Sequence, residues 1–501
     1  MTEDLHRMEL DRVPTGIAGL DLVLQGGLLK GGVYIVQGVP GAGKTILANQ
    51  MCFTHVAGGG RAAYVTLLAE SHTRMLQHLR PLAFFDESVI PERLYYISAF
   101  KTLEEEGLKG LLDLLRREIR GHRASLLVLD GLVAAEDTAV SDREFKKFVH
   151  EVQMHAAMNE CTVLLLTTGG AGPVRAEHTM VDGLIELDDR LFEVRNERSL
   201  QVRKFRGSGA LRGRHAFRIT LDGLVVFPRF EALFATPSAP DRASRNRVQS
   251  GVDGLDALIE GGLVEATTNV VMGPTGIGKT TFGLHFLARC SAAEPGLMLG
   301  FYETPARLRL KATALGINLE GLEARGALEI LWQAQGETVL DELAHRLRDA
   351  VRRRGVRRLF VDGLGAFIES AVHPERISRF FSVLSNELRA LGVTAVYTLE
   401  SRDIIGPTLE VPITGISSLA ESLFALRYVE VQARTRRLLS VVKIRDSGFD
   451  PALHEFEITG RGVRIVGRFA GYEGMLRGYA EAPNAPPPEP TGAPKRRPRQ
   501  E

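Results

Sequence analysis

Two eight-residue stretches carry the most pointed chemistry in the chain. Gly38-Val-Pro-Gly41-Ala42-Gly43-Lys44-Thr45 and Gly273-Pro-Thr-Gly276-Ile277-Gly278-Lys279-Thr280 share the spacing GxxxxGK[ST]. Each follows a run that reads as a strand and opens one that reads as a helix. A phosphate loop needs that context: glycines let the backbone curl until successive N–H groups face phosphate oxygens, and the following helix adds its positive end. Lys44 or Lys279 would then reach the β- and γ-phosphates. The expected ATP-binding residues are Gly41, Ala42, Gly43, Lys44 and Thr45, and Gly276, Ile277, Gly278, Lys279, Thr280 and Thr281. The hydroxyls of Thr45 and Thr280 are the expected ligands of Mg²⁺.

Carboxylates come next. Asp130 ends the apolar run LLVLD and Asp362 ends LFVD, where a carboxylate holds the magnesium shell; an aspartate turning the chain before Gly131 or Gly363 would carry the same letters. Glu70, after YVTLLA, and Glu303, after MLGFY, are candidates to orient or deprotonate an attacking water, or else to cap the helix that follows. Lys204 and Arg206 alternate along a strand, as do Lys443 and Arg445, so each pair shares a face. Such a pair could reach a neighbouring subunit's ATP, with the arginine as a finger in trans, or line a solvated edge strand.

The elements that hold these residues occur twice. Gly16-Ile-Ala-Gly19-Leu-Asp21 recurs as Gly251-Val-Asp-Gly254-Leu-Asp256, and Gly26-Gly27-Leu28 as Gly261-Gly262-Leu263, at the same offset of 235 residues that relates the two phosphate loops. Within each copy, apolar strands alternate with helical stretches. That pattern gives an α/β fold, a mainly parallel sheet covered by helices, built twice. The expected boundaries are a first domain over 1–234, a linker over 235–247, a second domain over 248–478 and a disordered proline-rich basic tail over 479–501.

Composition closes off other classes. The 62 Lys+Arg against 61 Asp+Glu leave a net charge of +1, so no whole-chain basic field steers the protein to nucleic acid. The basic run at Arg352, Arg353, Arg354, Arg357 and Arg358 reads as the solvated end of a helix, which makes a DNA-dependent ATPase the weakest reading. Cys52, Cys161 and Cys290 have no metal or disulfide spacing. No apolar run reaches the roughly 20 residues of a membrane span. A cytoplasmic protein is expected.

Taken together, the GI.GLD...GGL opening, both phosphate loops, the two aspartate strands, KFRGS and KIRDSG, and LRYVEVQARTRRLLSVVKIRDSGFD resemble the KaiC-like ATPases of the RecA superfamily, in their two-domain form. The resemblance implies a homohexameric double ring with ATP at subunit interfaces. It also implies Lys204, Arg206, Lys443 and Arg445 as contacts in trans, and Ser417 and Ser418 as phosphoacceptors in the second domain. Ser418-Leu-Ala-Glu421 also has capping-box spacing. Members of the family carry paired glutamates where this chain has Ala69-Glu70 and Tyr302-Glu303, and a histidine where it has Ala210 and Phe449. The expectation is therefore an ATP-hydrolysing signalling homologue, autophosphorylating on serine. The alternative is a nucleotide-switched scaffold that meets a protein partner through its tail.

Overall fold

A computed structural model describes residues 10–68, 72–169, 179–240, 243–336, 338–401, 419–431, 434–445 and 447–469. Two compact units emerge, one running to Thr236 and taking in Val339–His345, the other covering Pro237–Thr338 and the chain from Arg346 on.

Each unit is built on a sheet of nine strands. In the first unit they are β1 (Val33–Gly38), β2 (Ala62–Thr66), β3 (Leu94–Ser98), β4 (Leu126–Asp130), β5 (Thr162–Thr168), β6 (Gly183–Phe192), β7 (Arg195–Phe205), β8 (Arg214–Thr220) and β9 (Gly223–Phe227). Their spatial order is 3-2-4-5-1-6-7-8-9. Six strands from β3 to β6 run parallel, and β7 to β9 return antiparallel.

The second unit has β10 (Thr268–Gly273), β11 (Gly296–Gly300), β12 (Leu328–Trp332), β13 (Arg358–Asp362), β14 (Thr394–Glu400), β15 (Ser422–Val431), β16 (Arg434–Ile444), β17 (His454–Thr459) and β18 (Gly462–Arg468). Their order, 12-11-13-14-10-15-16-17-18, repeats the first strand for strand. These are tandem RecA-like phosphate-loop domains.

The near-continuous apolar strands follow from burial on both faces. Along β1, Tyr34 and Val36 enter the core shared with the helix Lys44–Ala57, while Val33 and Ile35 enter the one under Phe100–His122 and Asp142–Met158. Strands β2, β4 and β5 alternate in the same way, so one residue of register slip would exchange the two cores.

The repeated opening motif turns out to be structural. Asp21 accepts from the Thr15 N–H (2.8 Å), and Asp256 from the Ser250 N–H (3.0 Å). Arg12 joins the Gly27 carbonyl to the Ser208 hydroxyl, and Arg247 joins Gly262 to Ser447. These arginines tie the opening of each unit to its Lys-x-Arg segment. In the stretch read as a linker, Ser238 donates its N–H and hydroxyl to Glu387 at 2.7 and 2.6 Å.

The helix after each phosphate loop is also tied to the far edge strand. Gln50 Oε1 accepts the Leu224 N–H at 2.8 Å, and at the matching place His285 Nε2 accepts the Val463 N–H at 3.1 Å. An accepting imidazole must be neutral, and burial, reinforced by Arg289, holds His285 below its ordinary 6.5. A depressed pKa means that the unfolded chain takes the proton first. The latch therefore contributes fully above about pH 6.5 and is lost as pH falls from there towards the folded value. The second unit should lose stability below pH 6.5, read by the fluorescence of Trp332, the single tryptophan of the chain. His285→Gln should flatten that dependence, because glutamine already makes the bond in the first unit.

Candidate nucleotide site

Both phosphate loops leave the C-terminal end of a central strand and enter a helix, at the crevice where an open α/β sheet takes its ligand. Gly41 and Gly43 stand at φ +81° and +100°, Gly276 and Gly278 at +74° and +118°, a region closed to most side chains. A Cβ on Gly43 would lie 2.7 Å from Ile219, and one on Gly278 2.6 Å from Ile458. Ala42 and Ile277 send their side chains into the core, so only their main chain faces a ligand.

The lysines fold back over the loops. Lys44 Nζ donates to the carbonyls of Gly38 (2.7 Å) and Val39 (3.1 Å), and Lys279 Nζ to those of Gly273 and Pro274, both at 2.8 Å. Burial lowers both ammonium pKa values. Asp130 opposes this at Lys44, as Glu400 and Asp362 do at Lys279.

The threonine and aspartate of each motif meet, though on different terms. Thr280 donates to Asp362 Oδ2 at 2.8 Å, and Thr398 on β14 donates to the other oxygen at 2.8 Å. In the first unit Thr45 stands 3.4 Å from Asp130 Oδ2, and the phenol of Tyr64 on β2 donates to that same oxygen at 2.6 Å. Burial raises the Asp362 pKa against the pull of both hydroxyls. Burial and the Asp130 charge raise Tyr64 well above 10, so it stays a donor.

In the second unit the loop, Thr281, Asp362 and Glu303 line one cavity of about 770 Å³ with Tyr302, Lys311 and Glu400. The site as it stands fits magnesium triphosphate. It offers Lys279 over the loop for phosphate, and the Thr280 hydroxyl with the Asp362 carboxylate for a metal that keeps most of its shell in water and phosphate oxygens. Glu303 Oε1 is ion-paired with Lys311 Nζ at 2.6 Å. Glu70, Ser417, Ser418 and the tail lie outside the described residues.

Lys204 and Arg206 bond the carbonyls of Thr179 and Met180, and Lys443 that of Ala420, at the entry to β6 and β15. Burial lowers both lysine pKa values, with Arg206 and Arg445 adding to the effect. Neither Lys443 nor Arg445 lines the cavity of its own unit.

The basic run is largely paired: Arg353 and Arg354 with Glu329, and Arg358 with Glu294. All three cysteines are buried and free, their thiol pKa values raised by burial. Among the described residues, no helix is long and apolar enough to cross a membrane.

Tyr64, Thr398 and Lys311 escape a reading of the sequence. Tyrosine and threonine are ordinary strand residues, and a lysine on a helix reads as solvated.

Comparison with known proteins gives one consistent result. A family model described as "ATPase: KaiC" matches residues 13–231 and again residues 248–469. A circadian clock oscillator protein KaiC from a Picosynechococcus strain is 25% identical over 484 residues, covering 94% of this chain and 92% of that protein. The protein of the same name from a Nostoc strain is 26% identical over 485 residues, with the same coverage. That from Parathermosynechococcus lividus is 25% identical over 499 residues, covering 95% and 90%.

Proposed function

This chain belongs to the KaiC ATPase family, and from that premise we propose that it binds Mg–ATP in both halves, hydrolyses it, and passes a γ-phosphate to Ser417 or Ser418. The observation that carries the reading is the doubled constellation of positive-φ glycines, a lysine on the loop carbonyls, and a threonine beside a strand-end aspartate.

Thr45 with Asp130, and Thr280 with Asp362, would hold magnesium, whose charge offsets that building up on the phosphate oxygens. Lys44 and Lys279 exchange their loop carbonyls for phosphate oxygens. In hydrolysis a water oxygen attacks the γ-phosphorus, the bond to the β-bridging oxygen breaks, and ADP leaves with that oxygen. The proton of the water goes to a carboxylate, Glu303 in the second half and Glu70 in the first. In serine transfer the hydroxyl of Ser417 or Ser418 replaces the water. Lys204, Arg206, Lys443 and Arg445 serve a neighbouring subunit's nucleotide in a six-membered double ring. The 479–501 tail is the element offered to a protein partner.

Incubation of the full chain with Mg–ATP should release phosphate and leave phosphoserine at 417 or 418 by mass spectrometry. Release without phosphoserine would remove the kinase and keep the ATPase. Phosphoserine without release would remove the hydrolysis and keep the kinase, and neither release nor phosphoserine would remove both.

The Glu303–Lys311 pair favours a second reading, a nucleotide-switched scaffold without kinase activity. It ties up a carboxylate oxygen that a hydroxyl would need, where Tyr302 stands in place of a second glutamate. The same mass spectrum decides between the two.

A further inference from the structure

The two halves hold their metal-binding carboxylates by hydroxyls arriving from opposite sides. Asp130 ends β4, which lies between β2 and β5, and Asp362 ends β13, between β11 and β14. In the first half the neighbouring hydroxyl is Tyr64 on β2, and the β5 position matching Thr398 is Leu166. In the second half it is Thr398 on β14, and the β11 position matching Tyr64 is Met298.

The side of arrival decides which oxygen is engaged. Thr398 takes Asp362 Oδ1 and leaves Oδ2 to Thr280 at 2.8 Å. Tyr64 takes Asp130 Oδ2, the oxygen towards Thr45, which then stands at 3.4 Å. A phenol at 2.6 Å from a carboxylate is a short, charge-assisted bond. Its surroundings brace it. Tyr64 is fully buried, its ring lies 5.5 Å from that of Tyr96, and the Tyr96 hydroxyl donates to Asn49, whose amide donates to the Thr45 carbonyl. The matching positions in the second half are Leu284, Met298 and Ile330, so this polar brace belongs to the first half alone.

We propose that Tyr64 is a positioning residue that weakens the hold of Asp130 on magnesium, making the first site the one that needs more Mg²⁺ to hold ATP. It acts through Asp130: a magnesium-bound water would have to share Oδ2 with the phenol hydrogen, whereas the matching oxygen of Asp362 accepts from the threonine of its own motif. The two nucleotide sites of one chain thus fill at different free Mg²⁺. The inference rests on both loops binding Mg–ATP.

The test is nucleotide binding, not turnover. The full-length protein carries Lys279→Ala to read the first site or Lys44→Ala to read the second, and a fluorescent ATP analogue is held at fixed concentration while Mg²⁺ is titrated. The first-site midpoint should lie several-fold above the second. Tyr64→Phe, which keeps the ring and removes one oxygen, should lower the first-site midpoint roughly tenfold, about 1.4 kcal/mol, and leave the second-site midpoint in place. An unmoved or higher first-site midpoint in Tyr64→Phe, with the analogue still binding at saturating Mg²⁺, would overturn the inference alone. A midpoint that shifts equally at both sites would overturn it as well, as a general effect on folding. Absence of binding at both sites in the parent chain would overturn the ATP reading and this inference with it.

Discussion

Alanine at Lys279 is expected to weaken ATP binding by the second half at least a hundredfold, about 2.7 kcal/mol, and alanine at Lys44 to do the same in the first. Each ammonium is half-buried, with two loop carbonyls among its partners. Burial lowers its pKa, which means that the cation is held at some cost in desolvation. A triphosphate turns that cost into gain, since charge-assisted bonds to phosphate are about twice as strong as neutral ones. The nucleotide-free protein should therefore lose little or no stability on replacement with alanine, while the stabilisation added by ligand disappears. Wild type with ATP at 100 times its dissociation constant gains about 2.7 kcal/mol per site by mass action. Thermal unfolding with and without Mg–ATP should show that gain roughly halved in each single variant and absent in the double. A large loss of stability without nucleotide would instead mark the lysines as structural.

Much of this was legible from the sequence because it rests on backbone geometry. A positive-φ position next to a helix start almost compels glycine, so Gly41, Gly43, Gly276 and Gly278 announce the loop. The 235-residue offset announces the second copy, and the identical strand order shows that the repeat extends to the whole sheet. Side-chain partnerships were not legible, since their letters have commoner uses. Tyr64 sits in a run, AAYVT, whose other members are core, and nothing in the spacing tells which strand neighbour its hydroxyl will meet. Thr398 is one of several threonines at strand ends. The Lys311–Glu303 pair links a helix to the turn just before it, eight residues earlier, beyond the reach of the i, i+4 rule. The opening motif marked the repeat without showing what its side chains do. Asp21 and Asp256 serve as turn acceptors, while Arg12 and Arg247, which carry the longer ties, stand out in no motif.

The duplication also yields the second large effect, because each copy shows an alternative packing of the other. Gly283 lies in the helix after the second phosphate loop, where glycine costs about 1 kcal/mol against alanine, so propensity alone predicts that Gly283→Ala stabilises. Packing predicts the opposite. A Cβ there would fall inside the ring of Phe360, which is wholly buried on β13. The matching pair in the first half is Ala48 and Val128, both fully buried in one core: the methyl is present where the facing residue is small. Overpacking a closed core costs about 1–3 kcal/mol or more, which outweighs the helix term, so Gly283→Ala should destabilise the second half by about 2 kcal/mol. Phe360→Val alone leaves a void beside Gly283 and should cost about 2–3 kcal/mol. The double variant recreates the first-half pair and should recover most of both losses, a coupling of about 3 kcal/mol between residues in direct contact. Trp332 on β12 reports the second half by itself in denaturant unfolding. Additive losses in the double variant would mean that the two cores reach their density by unrelated routes. Recovery would mean that the methyl and the ring exchanged volume across the repeat, while the aspartate two residues beyond Phe360 kept its place under the loop.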